Sequence, residues 1–258
     1  MDLKNVRLAV EGAVATVTLN NPEKRSALSL ATLKELGAAF ADVEVRADVR
    51  VMVVKAEGKV FSAGHNLAEM VNGSLAHYQE IFRVCGAVMQ KLQQMPQPAI
   101  AQVRGIATAA GCQLVAACDL AIAEEGASFG TPGVRIGVFC TTPAIPLVRA
   151  VGRKRALEML FTGRLISAQE AMQWGLINKV VPAESLDAEV KALAARIAEA
   201  SRLTLAIGKR AFYSQVKLAD EQAYTLGSEV MVSNLYAEDA VEGMNAFLEK
   251  RKPVWKDR

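Results

Sequence analysis

At 258 residues, with 52% hydrophobic and 22% charged side chains, the chain is long enough to bury a sizeable core as one large globular domain, or a domain with an appendage. A formal net charge of +3, with no like-charge block longer than Lys250-Arg251-Lys252, argues against nucleic acid as a partner. Four cysteines (Cys85, Cys112, Cys118, Cys140) without CxxC spacing, and only two histidines (His65, His77), argue against a disulfide framework and a metal centre.

Residues 1 to 19 alternate polar and apolar instead of pairing a basic start with a continuous apolar run, so neither a signal nor a transit peptide is evident. The expectation is a cytoplasmic protein, or a processed mitochondrial one. Within that stretch VRLAV and AVATVTL each alternate around Glu11-Gly12, which predicts a β-hairpin. Ser29 then caps a helix carrying Leu30, Leu33, Leu36, Phe40 and Val43 at three- and four-residue steps. VMVV at 51 to 54 reads as a short buried strand. Ser74 opens the clearest element, a helix with Leu75, Tyr78, Ile81, Phe82, Cys85, Val88, Met89 and Leu92 on one face, stopped by Pro96 and Pro98.

AIAQV at 99 to 103 and DLAIA at 119 to 123 read as strands flanking a segment of helical composition. Ser167 and Glu170 form a capping box, with Gly175 as the left-handed close of that short helix. The final third carries almost no strand signal. Leu186, Val190, Leu193 and Ile197 share one helix face, and further helices are expected from Asp220 to Leu235 and from Asp239 to Arg251. The pattern predicts an α/β core followed by a helical C-terminal part.

Two loops that follow predicted strands are dense in small residues: EGKVFSAGHNLAEM and RGIATAAGCQLVAACD. Such loops can bring backbone N–H groups close to a ligand, and a helix N-terminus adds unpaired donors, so the two together could form an oxyanion hole. Small residues also serve tight helix packing, and neither loop carries a phosphate-binding fingerprint. Gln113 stands out within the second loop, because a buried amide left without partners costs about 1–3 kcal/mol.

FSAGHNLAEM, GIATAAGCQLVAACDLAIA, SFGTPGVRIG, RALEMLFTGRLISAQEAMQWGLINKVVP and the ending GMNAFLEKRKPVW occur in that order. Over nearly the whole chain they resemble the enoyl-CoA hydratase/isomerase, or crotonase, superfamily. The resemblance implies an α/β fold with a crotonase-type β-β-α spiral core over residues 1–200 that binds acyl-CoA. It also implies a helical C-terminal trimerisation region over 201–258, in homotrimers that commonly pair into hexamers. The partner is an acyl-CoA thioester of fatty acyl-CoA metabolism, with no nucleic acid, membrane or metal, and no cofactor beyond the coenzyme A of the substrate itself.

Carried onto this chain, the resemblance makes the backbone N–H groups of His65 and Ala110 the oxyanion hole. The family more often has glycine at the latter position, so alanine there is tolerable only at negative φ. Ala63, Asn66, Leu67 and Ala68 would line the nucleotide end of coenzyme A, with Lys24, Arg25 and Ala27 nearby. Phe247 and Lys250 would reach the adenine and phosphates, although cations at a helix C-terminus are favoured there in any case.

Hydratases that resemble this chain place glutamates at the positions of Gln113 and Gly133. Each positioned acid or base is worth about 10²–10⁴-fold and an oxyanion donor about 10²–10³-fold, so the expectation is a thioester-binding protein with weak hydratase chemistry. Alternatives are a decarboxylase of malonyl-type thioesters, a non-catalytic acyl-CoA-binding protein, and a double-bond isomerase whose base is not identifiable; Glu124 and Glu125 read as solvated. His65 may be structural or act at the thioester, Arg135 may meet a carboxylate or solvent, and Cys140 reads as an inert buried thiol.

Overall fold

The computed structural model describes residues 3–258. Two sheets are built in step as the chain winds. The larger has the order β1 (Val6–Glu11), β2 (Val14–Leu19), β3 (Val51–Ala56), β5 (Ala99–Val103), β7 (Leu120–Glu124), β10 (Lys179–Val181). The smaller runs β4 (Val60–Ser62), β6 (Ile106–Thr108), β8 (Ser128–Gly130), β9 (Leu165–Ser167). Consecutive strands alternate between sheets, β3 then β4, β5 then β6, β7 then β8, and this alternation makes the spiral. Pairing is parallel from β2 to β10 and from β4 to β8, as helical crossovers require, and antiparallel only at β1–β2 and β8–β9.

The helices are α1 (Leu30–Val45), α2 (Leu67–Met70), α3 (Leu75–Gln94), α4 (Ala110–Ala117), α5 (Thr141–Val151), α6 (Arg153–Thr162), α7 (Ala168–Trp174), α8 (Leu186–Ala198), α9 (Arg202–Gln215), α10 (Asp220–Leu235) and α11 (Glu238–Leu248). Ser29 accepts from the Thr32 N–H, Ser74 from that of His77, and the Ser167–Glu170 capping box closes at left-handed Gly175, all as the sequence implies. VMVV is apolar throughout because both faces of β3 are covered. Met52 and Val54 join the main core with Leu36, Phe40 and Phe61, while Val51 and Val53 pack with Ile100, Leu186 and Val190 beneath α8.

Several expectations are corrected. The hairpin turn lies at Gly12-Ala13, one residue later than expected. The short strands β4, β6, β8, β9 and β10 and the helices α5, α6 and α9 are additional to the sequence reading. The last helix ends at Leu248 rather than Arg251: Lys250 turns left-handed at φ 54°, and Arg251 folds back onto Glu242 and Glu249, each at 2.6 Å. Glu124 is not solvated, since it accepts from the Gly105 N–H at 2.8 Å and meets Arg104 at 3.3 Å with its side chain 13% exposed.

Candidate active site

The two small-residue loops interlock. Gly64 sits at φ +90°, and a Cβ there would stand 2.8 Å from the Ala109 Cβ and 3.2 Å from the Ala110 nitrogen. Gly111 approaches from the other side, where a Cβ would meet the Ser62 carbonyl oxygen at 2.5 Å. Buried Ser62 fixes the first loop by donating its hydroxyl to the Ser26 carbonyl at 2.8 Å and accepting from the Gly64 N–H at 3.2 Å. Ala63 N–H in turn donates to the Arg25 carbonyl at 3.0 Å, which places the 21–28 loop alongside. Ala110 opens α4, so its N–H is one of the helix's unpaired first donors.

Ala110 itself does not have positive φ; the strain falls one residue earlier, on Ala109 at φ 50° and ψ −119°. A side chain in that region costs on the order of 1–3 kcal/mol, and it persists because Gly64 and the Gly130 carbonyl, which accepts from the Ala109 N–H at 2.8 Å, hold the turn.

Around this point opens a cavity of about 560 Å³ lined by both loops, by the Pro132–Pro143 segment and by Phe82 of α3. Ala63, His65, Leu67, Ala110 and Gly133 line it, as do Arg135 and Cys140. Asn66, Ala68, Lys24, Arg25 and Ala27 do not. Asn66 instead caps α2 through the Ala68 N–H at 3.2 Å, and Lys24 and Arg25 are exposed. Phe247 (83% exposed) and Lys250 line no cavity of this chain. Gln113 is 3% exposed on α4 but belongs to a different, neighbouring cavity.

No aspartate or glutamate lines the first cavity. His65 stands edge-on to Phe82, ring centroids 5.3 Å apart, and its Nε2 is buried with no hydrogen-bond partner among the described residues. Burial drives its pKa down to about 4, only partly opposed by the charge of Glu69, so the ring is neutral near pH 7. Burial likewise raises the Cys140 thiol, offset in part by the Gly133 N–H, and keeps it protonated. Arg135 is exposed at the cavity wall, its Nε 3.4 Å from the Thr162 carbonyl. Gly133 has no room for a side chain: a Cβ would meet the Val138 carbonyl oxygen at 2.4 Å and the Cys140 Sγ at 2.7 Å. Phe82, Val138, Phe139 and Thr142 were not foreseeable as lining residues, because they come from elements without a motif.

A family model described as enoyl-CoA hydratase/isomerase matches residues 9–258. The chain belongs to the enoyl-CoA hydratase/isomerase family. Human enoyl-CoA hydratase domain-containing protein 3, mitochondrial, is 49% identical over 243 residues, 94% of this chain and 80% of that protein. The short-chain-enoyl-CoA hydratase of Clostridium acetobutylicum is 33% identical over 98% of this chain and 97% of its own. The crystal structure of the human protein superposes with a TM-score of 0.96 at 47% identity, covering 98% of this chain and 100% of that one. An enoyl-CoA hydratase from Mycobacterium smegmatis gives 0.95 at 45%, covering 98% and 99%. The crotonase fold is therefore shared over essentially the whole chain. Among the described residues no helix is long and apolar enough to cross a membrane.

Proposed function

We propose that the chain binds an acyl-CoA thioester in the apolar cavity, with the thioester carbonyl oxygen held between the N–H groups of His65 and Ala110, and that ordinary hydration there is slow. The observation that carries this reading is a cavity with converging backbone donors and no carboxylate in its wall. Two donors aimed at a carbonyl oxygen stabilise the enolate that forms when charge moves onto it. Hydration needs in addition a group to take a proton from water and one to protonate the α-carbon. The titratable lining groups are His65, Arg135 and Cys140; His65 is a weak base at a pKa of about 4, and the Cys140 thiol stays protonated.

Arg135 supports a second reading. Loss of CO₂ from a malonyl-type thioester leaves the electron pair of the broken C–C bond on the thioester as an enolate, which water then protonates, so no general base is needed. A cation in the cavity wall can hold the departing carboxylate before the bond breaks.

The test is mass spectrometry of crotonyl-CoA and methylmalonyl-CoA after incubation with purified protein, beside a heat-killed control and a binding measurement. Retained binding with little hydrated product is expected. Rapid hydration would overturn the first reading, and an unchanged methylmalonyl-CoA pool would overturn the second.

A further inference from the structure

A second cavity, of about 600 Å³, lies between α3, α4, α5 and α9, and its chemistry is the reverse of the first. Arg149 of α5, Arg210 of α9 and Lys217 just beyond α9 contribute three cations. No aspartate or glutamate lines it, and none of the three is ion-paired among the described residues. The wall between them is polar, with Gln90, Gln93 and Gln94 of α3 and Tyr213 of α9. Gln113 closes the inner end: it is 3% exposed, and its Oε1 has no hydrogen-bond partner. The two cavities share Thr142, and Gln113 lies one helical turn past Ala110, about 4.5 Å along the axis from the N–H that would hold the thioester.

We propose that the second cavity receives the far end of the acyl group and that this end carries a carboxylate, so that the preferred ligand is an ω-carboxyl acyl-CoA. The inference rests on the acyl-CoA reading above and names its substrate class. An acyl chain leaving the oxyanion hole past Thr142 meets Gln113 and then the cations. A methyl terminus would leave the amide unpaired and place hydrocarbon among unneutralised charges. A carboxylate accepts from the amide and from the guanidinium groups, the stronger charge-assisted kind of hydrogen bond.

The experiment uses the full chain in its native assembly and isothermal titration calorimetry. The ligands are ω-carboxyl thioesters from succinyl-CoA to sebacoyl-CoA, each paired with the monocarboxylic thioester of equal length. At one length or more the ω-carboxyl member binds about tenfold more tightly, and Arg149→Gln with Arg210→Gln collapses that ratio toward unity. Both arginines are exposed, and a circular dichroism melt checks that the variant folds; Lys217→Gln provides a second, independent variant. Equal or weaker binding of the ω-carboxyl member at every length overturns the inference and leaves the acyl-CoA reading standing. If no thioester of either kind binds, the acyl-CoA reading itself fails. If free adipate or inorganic phosphate binds with the same arginine dependence while no thioester shows a preference, the cavity is a separate anion site and the inference is overturned.

Discussion

Three positions carry opposite messages about what a side chain costs. Ala109 has a Cβ where the backbone favours none, so Ala109→Gly is expected to stabilise the fold by about 1 kcal/mol after the entropy cost of glycine, read as a rise in melting temperature. Gly133 lacks a Cβ where the neighbours leave no space: Gly133→Ala should destabilise by about 1–3 kcal/mol in a denaturant melt, through pressure on Val138 and Cys140. Restoring a glutamate at that position is therefore not a simple exchange, and Gln113→Glu with Gly133→Glu should fail to raise hydration unless the Val138–Cys140 segment moves. His65 makes stability depend on pH. Its folded pKa of about 4 lies below the unfolded value near 6.5, so the unfolded chain binds the proton first. Its contribution is complete above about pH 6.5 and is lost as pH falls toward 4, by up to about 3 kcal/mol. His65→Phe should flatten that window in unfolding titrations; an unchanged slope would show the ring to be solvated.

At the scale of elements, legibility followed length and capping. The α3 helix was readable because Ser74 caps it, a long apolar stripe repeats and prolines end it. The three-residue strands β4, β6, β8, β9 and β10 are too short to show a period of two, and they form because the longer strands beside them fix the spiral. The α9 helix escaped notice because none of its residues is buried in the core; it is held by a polar tether instead. Lys209 donates to Asp119 at 2.6 Å and to the Gln97 carbonyl at 2.7 Å, and Tyr213 donates to Asp119 at 2.7 Å. Burial pulls Lys209 below the usual lysine range even with Asp119 beside it, and its side chain is only 7% exposed. Removing one partner of a buried pair leaves the other uncompensated, so Asp119→Ala is expected to cost about 3–5 kcal/mol and to raise hydrogen exchange throughout α9. The same tether shapes the second cavity, since Tyr213 lines it.

For the whole molecule, the sequence revealed the class of fold and the position of one anomalous amide, but not which cavity that amide serves, because α4 presents different faces to two spaces. The C-terminal helices leave Phe212, Met231, Leu235, Tyr236, Phe247 and Leu248 exposed, more apolar surface than a lone chain of 27.6 kDa ordinarily shows to water. Light scattering should accordingly give a mass that is a multiple of that value; a monomer would mean that these side chains serve another contact. The interlock of Ser62 and Gly64 with Ala109 and Gly111 has a further consequence, for how such a protein can change over generations. The carbonyl clamp is built from main chain and locked by close approach, so it survives almost any exchange of side chains around it, whereas the reaction depends on side chains at positions such as 113, 133 and 135. A mutant library that holds 62–64 and 109–111 constant and randomises those three should retain thioester binding in most of its members while sampling different chemistries.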